Sequence, residues 1–276
     1  MLDVLKDTIL DTIKLLPFLF VAFLIIEFIE HKLNNKQENI VAASGKFGPI
    51  IGSLLGAVPQ CGFSVLATNL YITRIISLGT LISIYLSTSD ELIPIMISHN
   101  APIHKILSIV LIKVIIGMIF GILIDLFIKK EKQSSFVLCK DEECDCEHSI
   151  IKSVIIHTLK ISFFIFLITF AINALFEYVN LDFISAHLKG NKILTPFISS
   201  LVGLIPNCAS SVMISELYLN NLITLGTTLS GLLTGSGVAI MVLIHKNKNK
   251  KENLFILSLI YFIGVACGIV FNLLGV

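Results

Sequence analysis

Eight predominantly apolar runs punctuate the 276-residue chain, and they fall into four pairs: 15–31 with 157–178, 47–72 with 194–219, 76–98 with 222–244, and 104–128 with 254–275. A helix needs about 20 such residues to cross the hydrocarbon layer of a bilayer. Six of the runs therefore predict complete crossings. The remaining pair, 47–72 and 194–219, is interrupted by Pro59-Gln60-Cys61 and by Pro206-Asn207-Cys208. As a helix, the stretch from Leu194 to Pro206 spans only ~20 Å, too short to cross alone. Each interrupted run is thus either one kinked helix or two half-helices that enter and leave on the same side.

The pairing is a sequence repeat. Gly56-Ala57-Val58-Pro59-Gln60-Cys61 matches Gly203-Leu204-Ile205-Pro206-Asn207-Cys208 at an offset of 147 residues. The same offset carries, without a gap, Ser64 onto Ser211, Leu70-Tyr71 onto Leu217-Tyr218, Leu78-Gly79-Thr80 onto Leu225-Gly226-Thr227, and Ser89 onto Ser236. It then takes Gly117 and Gly121 onto Gly264 and Gly268, and Asp125 onto Asn272. Chance agreement among apolar residues does not align Pro, Cys, Gly and Tyr at one constant spacing. The chain divides into a membrane repeat at 1–128, a linker at 129–152 and a second membrane repeat at 153–276.

Charge orients the repeats. Lysines concentrate at 129–152 (Lys129, Lys130, Lys132, Lys140, Lys152) and at 245–252 (Lys246, Lys248, Lys250, Lys251). Positively charged loops stay on the cytoplasmic side, so an even number of crossings must join them. The runs 157–178 and 222–244 already supply two, which leaves 194–219 to return to the side it entered from. Three crossings and one re-entrant hairpin per repeat make an odd number, so the second copy is inverted. The expected fold is an all-α integral membrane protein of two inverted-topology repeats with about ten membrane segments, counting half-helices. The Arg74 loop then lies on the cytoplasmic side with 245–252, while Asn220-Asn221 faces outward.

Composition agrees. Hydrophobic residues make up 55% of the chain, charged residues 14%, and the mean hydropathy is +0.92. A soluble domain has no place for so much apolar surface, whereas a multi-pass protein of the cell membrane buries it in lipid. A net charge of +1 leaves no footprint for nucleic acid. The first apolar run has no small-residue cleavage site behind it and is expected to be the first membrane helix rather than a signal peptide.

Gly-Ala-Val-Pro-Gln-Cys-Gly-Phe (56–63), Leu-Ser-Thr-Ser-Asp-Glu (86–91) and Ile-Pro-Asn-Cys-Ala-Ser-Ser (205–211) resemble a family of ten-helix heavy-metal exporters named beside the bacterial organoarsenical permeases. The resemblance covers nearly the whole chain and implies efflux of a metal or metalloid.

Three groups of residues can carry such chemistry. At the interruptions, Pro59 and Pro206 break the helices, Gln60 and Asn207 bring amides, and Cys61 and Cys208 bring soft thiol ligands for thiophilic metals or trivalent arsenic. Ser64 and Ser211 add hydroxyls one turn on, and the paired Ser89 and Ser236 complete the expected substrate-binding set. Against this, a buried cysteine is often no more than a small packing residue. Asp90 and Glu91 sit within the apolar run 76–98, where a charge costs about 2.5–3.5 kcal/mol. With Glu216, they are the candidates for carrying a coupling proton or sodium ion, and Lys113 is their expected partner in a purely structural ion pair. In the linker, Cys139, Cys144, Cys146 and His148 offer enough ligands for a tetrahedral metal site, although their spacing fits no standard knuckle and an acidic linker needs no metal. No cofactor is required.

The expected function is a secondary exporter of a small inorganic or metalloid substrate. No Gly-x4-Gly-Lys-Ser/Thr loop is present to run an ATPase. An ion-coupled transporter of an oxyanion or small organic anion, and a metal-sensing membrane subunit, are the alternatives. A membrane enzyme lacks its signature, since neither a zincin motif nor a nucleophile elbow occurs. Glycine pairs such as Gly117-x3-Gly121 and Gly264-x3-Gly268 predict close helix contacts, within one chain or in a homo-oligomer.

Overall fold

The computed structural model describes residues 37–58, 61–89, 92–128 and 193–275, with scattered helical positions between 9 and 24 and between 154 and 170. All regular structure among them is helical. In the first half, α1 spans Gln37–Gly56, α2 Cys61–Ile72, α3 Leu78–Ser87, α4 Leu92–Ser98 and α5 Ile103–Phe127. In the second, α6 spans Thr195–Gly203, α7 Cys208–Leu219, α8 Leu225–Thr234, α9 Ala239–Lys246 and α10 Lys250–Leu273. The bounds of α2 and α7, and of α3 and α8, are the same positions 147 residues apart.

The caps repeat too. Ser77 caps α3 by accepting from Thr80 N, and Thr224 caps α8 by accepting from Thr227 N. Asp125 at the end of α5 accepts from Ser77 Oγ (2.6 Å) and Gly79 N (2.9 Å); its counterpart Asn272 accepts from Thr224 Oγ1 (2.6 Å). Both α2 and α7 end in a Schellman turn, with Arg74 (φ 61°) and Asn221 (φ 56°) in the left-handed position.

The runs 76–98 and 222–244, expected as single helices, are each broken. Helix stops at Ser87 and resumes at Leu92, and stops at Thr234 and resumes at Ala239. In the second break Gly235-Ser236-Gly237 supplies the freedom, with Gly237 at φ 54°. Before the first, Ser87 and Thr88 hydroxyls donate back to the carbonyls of Ser83 (2.8 Å) and Ile84 (2.7 Å), a pattern that bends helices, and Thr88 leaves helical geometry at ψ 127°. Another difference is at α1, which begins at Gln37 rather than near 47 and continues through Pro49.

The inner helices are α3 and α8, buried at every position from Gly79 to Ser87 and from Gly226 to Thr234. Glycine rows let their neighbours come close. A Cβ at Gly117 would stand 2.7 Å from Ser83 O, and one at Gly121 2.7 Å from Gly79 O; Gly264 and Gly268 meet Ser230 O and Gly226 O at 2.9 and 2.8 Å. These are the expected close-packing faces, now seen within the chain. On the other side of α3, Gly48, Gly52 and Gly56 of α1 meet Thr80, Ser83 and Ser87, a row the sequence reading did not single out.

These contacts fix directions. Along α3, α1 advances in the same sense (Gly48 to Thr80, Gly56 to Ser87), whereas α2 runs back (Ser64 to Thr88, Thr68 to Tyr85). Along α8, α6 advances (Thr195 to Thr227, Gly203 to Thr234) and α7 runs back (Ser211 beside Gly235, Ile214 beside Gly231). The halves then interlock: α9 packs on α2, and α4 packs on α7. One apolar cluster joins Val65, Tyr71 and Leu86 with Ile240, Leu243 and Ile260; the other joins Leu92, Met96 and Ile109 with Ile214, Leu217 and Leu232.

The outer wall is apolar and uncovered. Ile103, Leu107, Leu111, Ile115, Ile119, Leu123 and Phe127 make a line of exposed side chains along α5, each at least 39% accessible. Leu254, Phe262 and Val270 do the same on α10. Water would penalise such a surface at about 25 cal/mol per Å², and lipid would not. Among the described residues, 78–98, 103–127, 225–246 and 250–273 are long and apolar enough to cross a membrane, the first and third across their breaks.

Candidate functional site at the helix breaks

Each interrupted segment lies against a helix break. Thr88 Oγ1 already donates to Ile84 O, so in the 3.0 Å contact with Ser64 Oγ the serine is the donor. One turn further along α2, Thr68 Oγ1 donates to Ser64 O (2.7 Å), which leaves the Tyr85 hydroxyl as donor in their 2.5 Å contact. Ala239 O, at 3.5 Å, is a second acceptor within reach of Tyr85, and it belongs to the segment just after the second break. Tyr85 therefore lies between the first break and the helix that follows the second. Position 232, its counterpart, is leucine, so this link is made from one side only.

Lys113 enters the first break from α5. The side chain is 1% exposed, and its ammonium donates to the carbonyl of Thr88. Ser89 is buried beside it and donates to Ser87 O (3.0 Å). At the second break Ser236 is buried and donates to Thr234 O (3.4 Å), while Ser211 Oγ lies 3.0 Å from where a Cβ on Gly235 would be. Asn207 is 4% exposed, and its carbonyl accepts from Ser210 Oγ (2.8 Å). Pro206 is half-buried.

Of the residues expected in the site, Ser64, Ser89, Pro206, Asn207, Ser211 and Ser236 are thus found at the breaks or the turns beside them. Cys61 and Cys208 begin α2 and α7, next to those turns. Pro59, Gln60, Asp90 and Glu91, and the linker residues Cys139, Cys144, Cys146 and His148, lie outside the described residues. Glu216 is exposed on α7. Among the described residues no group of three or more His, Cys, Asp or Glu could hold a metal ion. Thr68, Tyr85 and Thr88 were missed by the sequence reading. Only their place between Ser64 and the Ser89-Asp90-Glu91 stretch hinted at them.

A second charged cluster closes one end of the bundle. The Arg74 guanidinium forks onto Glu252, Nη1 to Oε1 at 2.7 Å and Nη2 to Oε2 at 3.0 Å. The Tyr71 hydroxyl donates to the same carboxylate, as does Asn247 Nδ2 (3.3 Å), and the guanidinium lies 5.2 Å from the Tyr71 ring centre. The Arg74 loop and the lysine-rich segment 245–252, both expected on one side, do share one end of the molecule.

A helical bundle with lipid-compatible walls, two broken inner helices and polar groups gathered at the breaks is a multi-pass membrane protein. Residues 2–187 match the family described as "Putative, 10TM heavy-metal exporter", and the chain belongs to that family. Membership places it among transporters, not among enzymes. No curated protein and no solved structure matches the chain.

Proposed function

We propose that the chain is a secondary exporter of a soft heavy-metal or metalloid species, whose two units lie antiparallel in the cell membrane and alternately close a site between the helix breaks. The direction of the inner helices carries this reading. The start of α3 adjoins Arg74, which holds Glu252 at the start of α10. Over 24 residues α10 rises about 36 Å and ends where Asn272 bonds Thr224, the cap of α8. The starts of α3 and α8 are therefore at opposite ends, as an inverted repeat requires.

The same directions support re-entrant hairpins. While α1 and α3 advance together to the break, α2 begins at Cys61 and returns to the α3 start; α6 and α7 do likewise around Pro206-Asn207-Cys208. Ten residues of helix rise about 15 Å, half of a ~30 Å hydrocarbon layer. Breaks and turns then meet near mid-depth, where irregular backbone is tolerated only if it is buried in protein or lines a cavity. Broken helices at the midplane of inverted repeats are sites for substrate and coupling ion. Cys61 and Cys208 suit a thiophilic cargo. Asp90 and Glu91, which follow Ser89 in the sequence, are the groups to carry a proton or sodium ion, and exposed Glu216 is the weaker choice. The thiols and imidazole at 139–148 collect metal on the cytoplasmic side.

Flux into inside-out vesicles tests this with arsenite, an organoarsenical, divalent metals and phosphate as cargo. Accumulation of a thiophilic species is expected, with Cys61→Ser and Cys208→Ser each lowering the initial rate at least about tenfold, the effect of about 1.4 kcal/mol on the barrier. Removing residues 139–148 should lower it less. Asp90→Asn is expected to abolish gradient-driven uptake while the protein still inserts. Phosphate moving in place of every thiophilic species would favour a second reading, an anion transporter, for which the Lys113 ammonium and the N-termini of α2 and α7 speak. Vesicles that move none of these solutes would refute transport of this class, and the metal-sensing role would stand.

A further inference from the structure

One face of α5 brackets α3 electrostatically. Lys113, Gly117, Gly121 and Asp125 recur every fourth residue on α5, so they share one side of that helix. They meet α3 in antiparallel order: Lys113 at Thr88 O, Gly117 at Ser83 O, Gly121 at Gly79 O, and Asp125 at Gly79 N and Ser77 Oγ. A helix carries partial positive charge at its N-terminus and partial negative charge at its C-terminus. Asp125, half-buried, faces the first, and Lys113 faces the second in a low-dielectric interior where its attraction is strengthened. The carbonyl of Thr88, the C-cap of α3, is anchored by the ammonium.

The second unit lacks this bracket. The positions equivalent to Lys113 and Asp125 are Ile260 and Asn272. Ile260 is fully buried and has no polar atom to offer, while Asn272 keeps the cap without its charge. The break itself is Gly235-Ser236-Gly237, with Gly237 in a left-handed conformation. The two breaks are therefore held by different chemistry.

We propose that Lys113 is a positioning residue for transport: by holding the Thr88 carbonyl it makes the break that begins at Thr88 and Ser89 the fixed wall of the site, against which the 235–238 break moves. This rests on the transport reading above. Ile260 shows that this chain accepts isoleucine at the equivalent position, so Lys113→Ile is a packing-compatible removal. Lys113→Arg keeps the charged donor, and Lys113→Gln is a milder loss should the isoleucine variant fail to insert.

Hydrogen exchange on the full chain in lipid nanodiscs separates the outcomes without depending on flux. In the wild type, amides at 235–239 are expected to exchange faster than those at 88–92. Lys113→Ile should speed exchange at 88–92 by about tenfold or more, the scale of one hydrogen bond to a charged group, and leave 235–239 unchanged. Lys113→Gln should do so to a smaller degree, and Lys113→Arg should match the wild type. Flux of whichever thiophilic cargo the wild type moves should fall in the isoleucine variant and recover with arginine. Unchanged exchange at 88–92, or a rise spread evenly over the bundle, overturns the proposal. A wild type with the expected exchange pattern but no flux would instead sink the transport reading and leave Lys113 as an anchor of the fold.

Discussion

Gly121→Val is expected to prevent the chain from accumulating as a folded membrane protein, and Gly121→Ala to lower its thermal midpoint clearly. A Cβ at this position would stand 2.7 Å from Gly79 O, 2.8 Å from Ser83 Cβ and 2.9 Å from Pro49 Cβ. Those atoms belong to α3 and α1, so relief in one direction tightens contact in another. Overpacking a well-filled interior costs about 1–3 kcal/mol, and here a carbonyl oxygen, not a flexible side-chain end, is the obstacle. Close backbone approach is also what holds membrane helices together when lipid is as apolar as their side chains. The repeat supplies an internal check. Gly268 faces Ser230 Cβ, Gly226 O and Pro196 Cβ at 2.6, 2.8 and 3.0 Å, so Gly268→Val should fail alike. Ile119→Ala, on the exposed line of α5, should change the midpoint little. Size-exclusion recovery and thermal unfolding in detergent read all four variants. Gly121→Val matching the wild type would mean that α3 and α5 do not touch as described.

Arg74→Glu is expected to open the end of the bundle that Arg74 and Glu252 close, and Arg74→Glu combined with Glu252→Arg to shut it again. The pair is bidentate and only partly exposed, with side-chain accessibilities of 31% and 16%. It also joins the two units directly, from the α2–α3 turn to the first turn of α10. Screening lowers its value below that of a buried pair, so a coupling of roughly 1–2 kcal/mol is expected in a double-mutant cycle. The equivalents of Arg74 and Glu252 are Asn221 and Lys105, so the repeat does not reproduce this pair at the opposite end. Closure at the Arg74 end is therefore the state this contact favours. The readout is thiol labelling of a cysteine placed at Thr68, a fully buried position of α2 that faces Tyr85 on α3. Labelling should quicken several-fold in Arg74→Glu and return to the starting rate in the double reversal. No change in the single reversal would show that the cluster does not control access.

Much of this was legible before any coordinates. The 147-residue offset paired Asp125 with Asn272, which both accept from the cap residue of an inner helix, and the lysine distribution anticipated Arg74 and the 245–252 segment at one end. Periodic glycines on α5 and α10 announced close contacts. Other features were hidden for physical reasons. A run of apolar residues shows that a segment suits lipid but not whether its helix is continuous, so the breaks after Ser87 and Thr234 were passed over, though Gly235 and Gly237 mark one of them. Alpha-1 starts among polar residues that a hydropathy reading assigns to a loop. Tyr85 and Thr68 looked like ordinary core residues, because nothing in a sequence says that their hydroxyls meet. Glu216 was grouped with the coupling acids as a carboxylate within an apolar run, yet it is exposed, whereas Asn69, 147 residues before it, is buried and donates to Val65 O.

The four-residue spacing along α5 also says something about angles. Ridges that repeat every fourth residue, with glycine at the contact, pack helices in a right-handed cross of about 40° rather than side by side. Crossed rods separate within a few turns of the point of closest approach. An unbroken helix from Leu78 to Ser98 would keep a single heading across the bilayer. Ending the rod after ten residues lets the chain choose a new heading, so that α4 can go to the other unit and settle on α7.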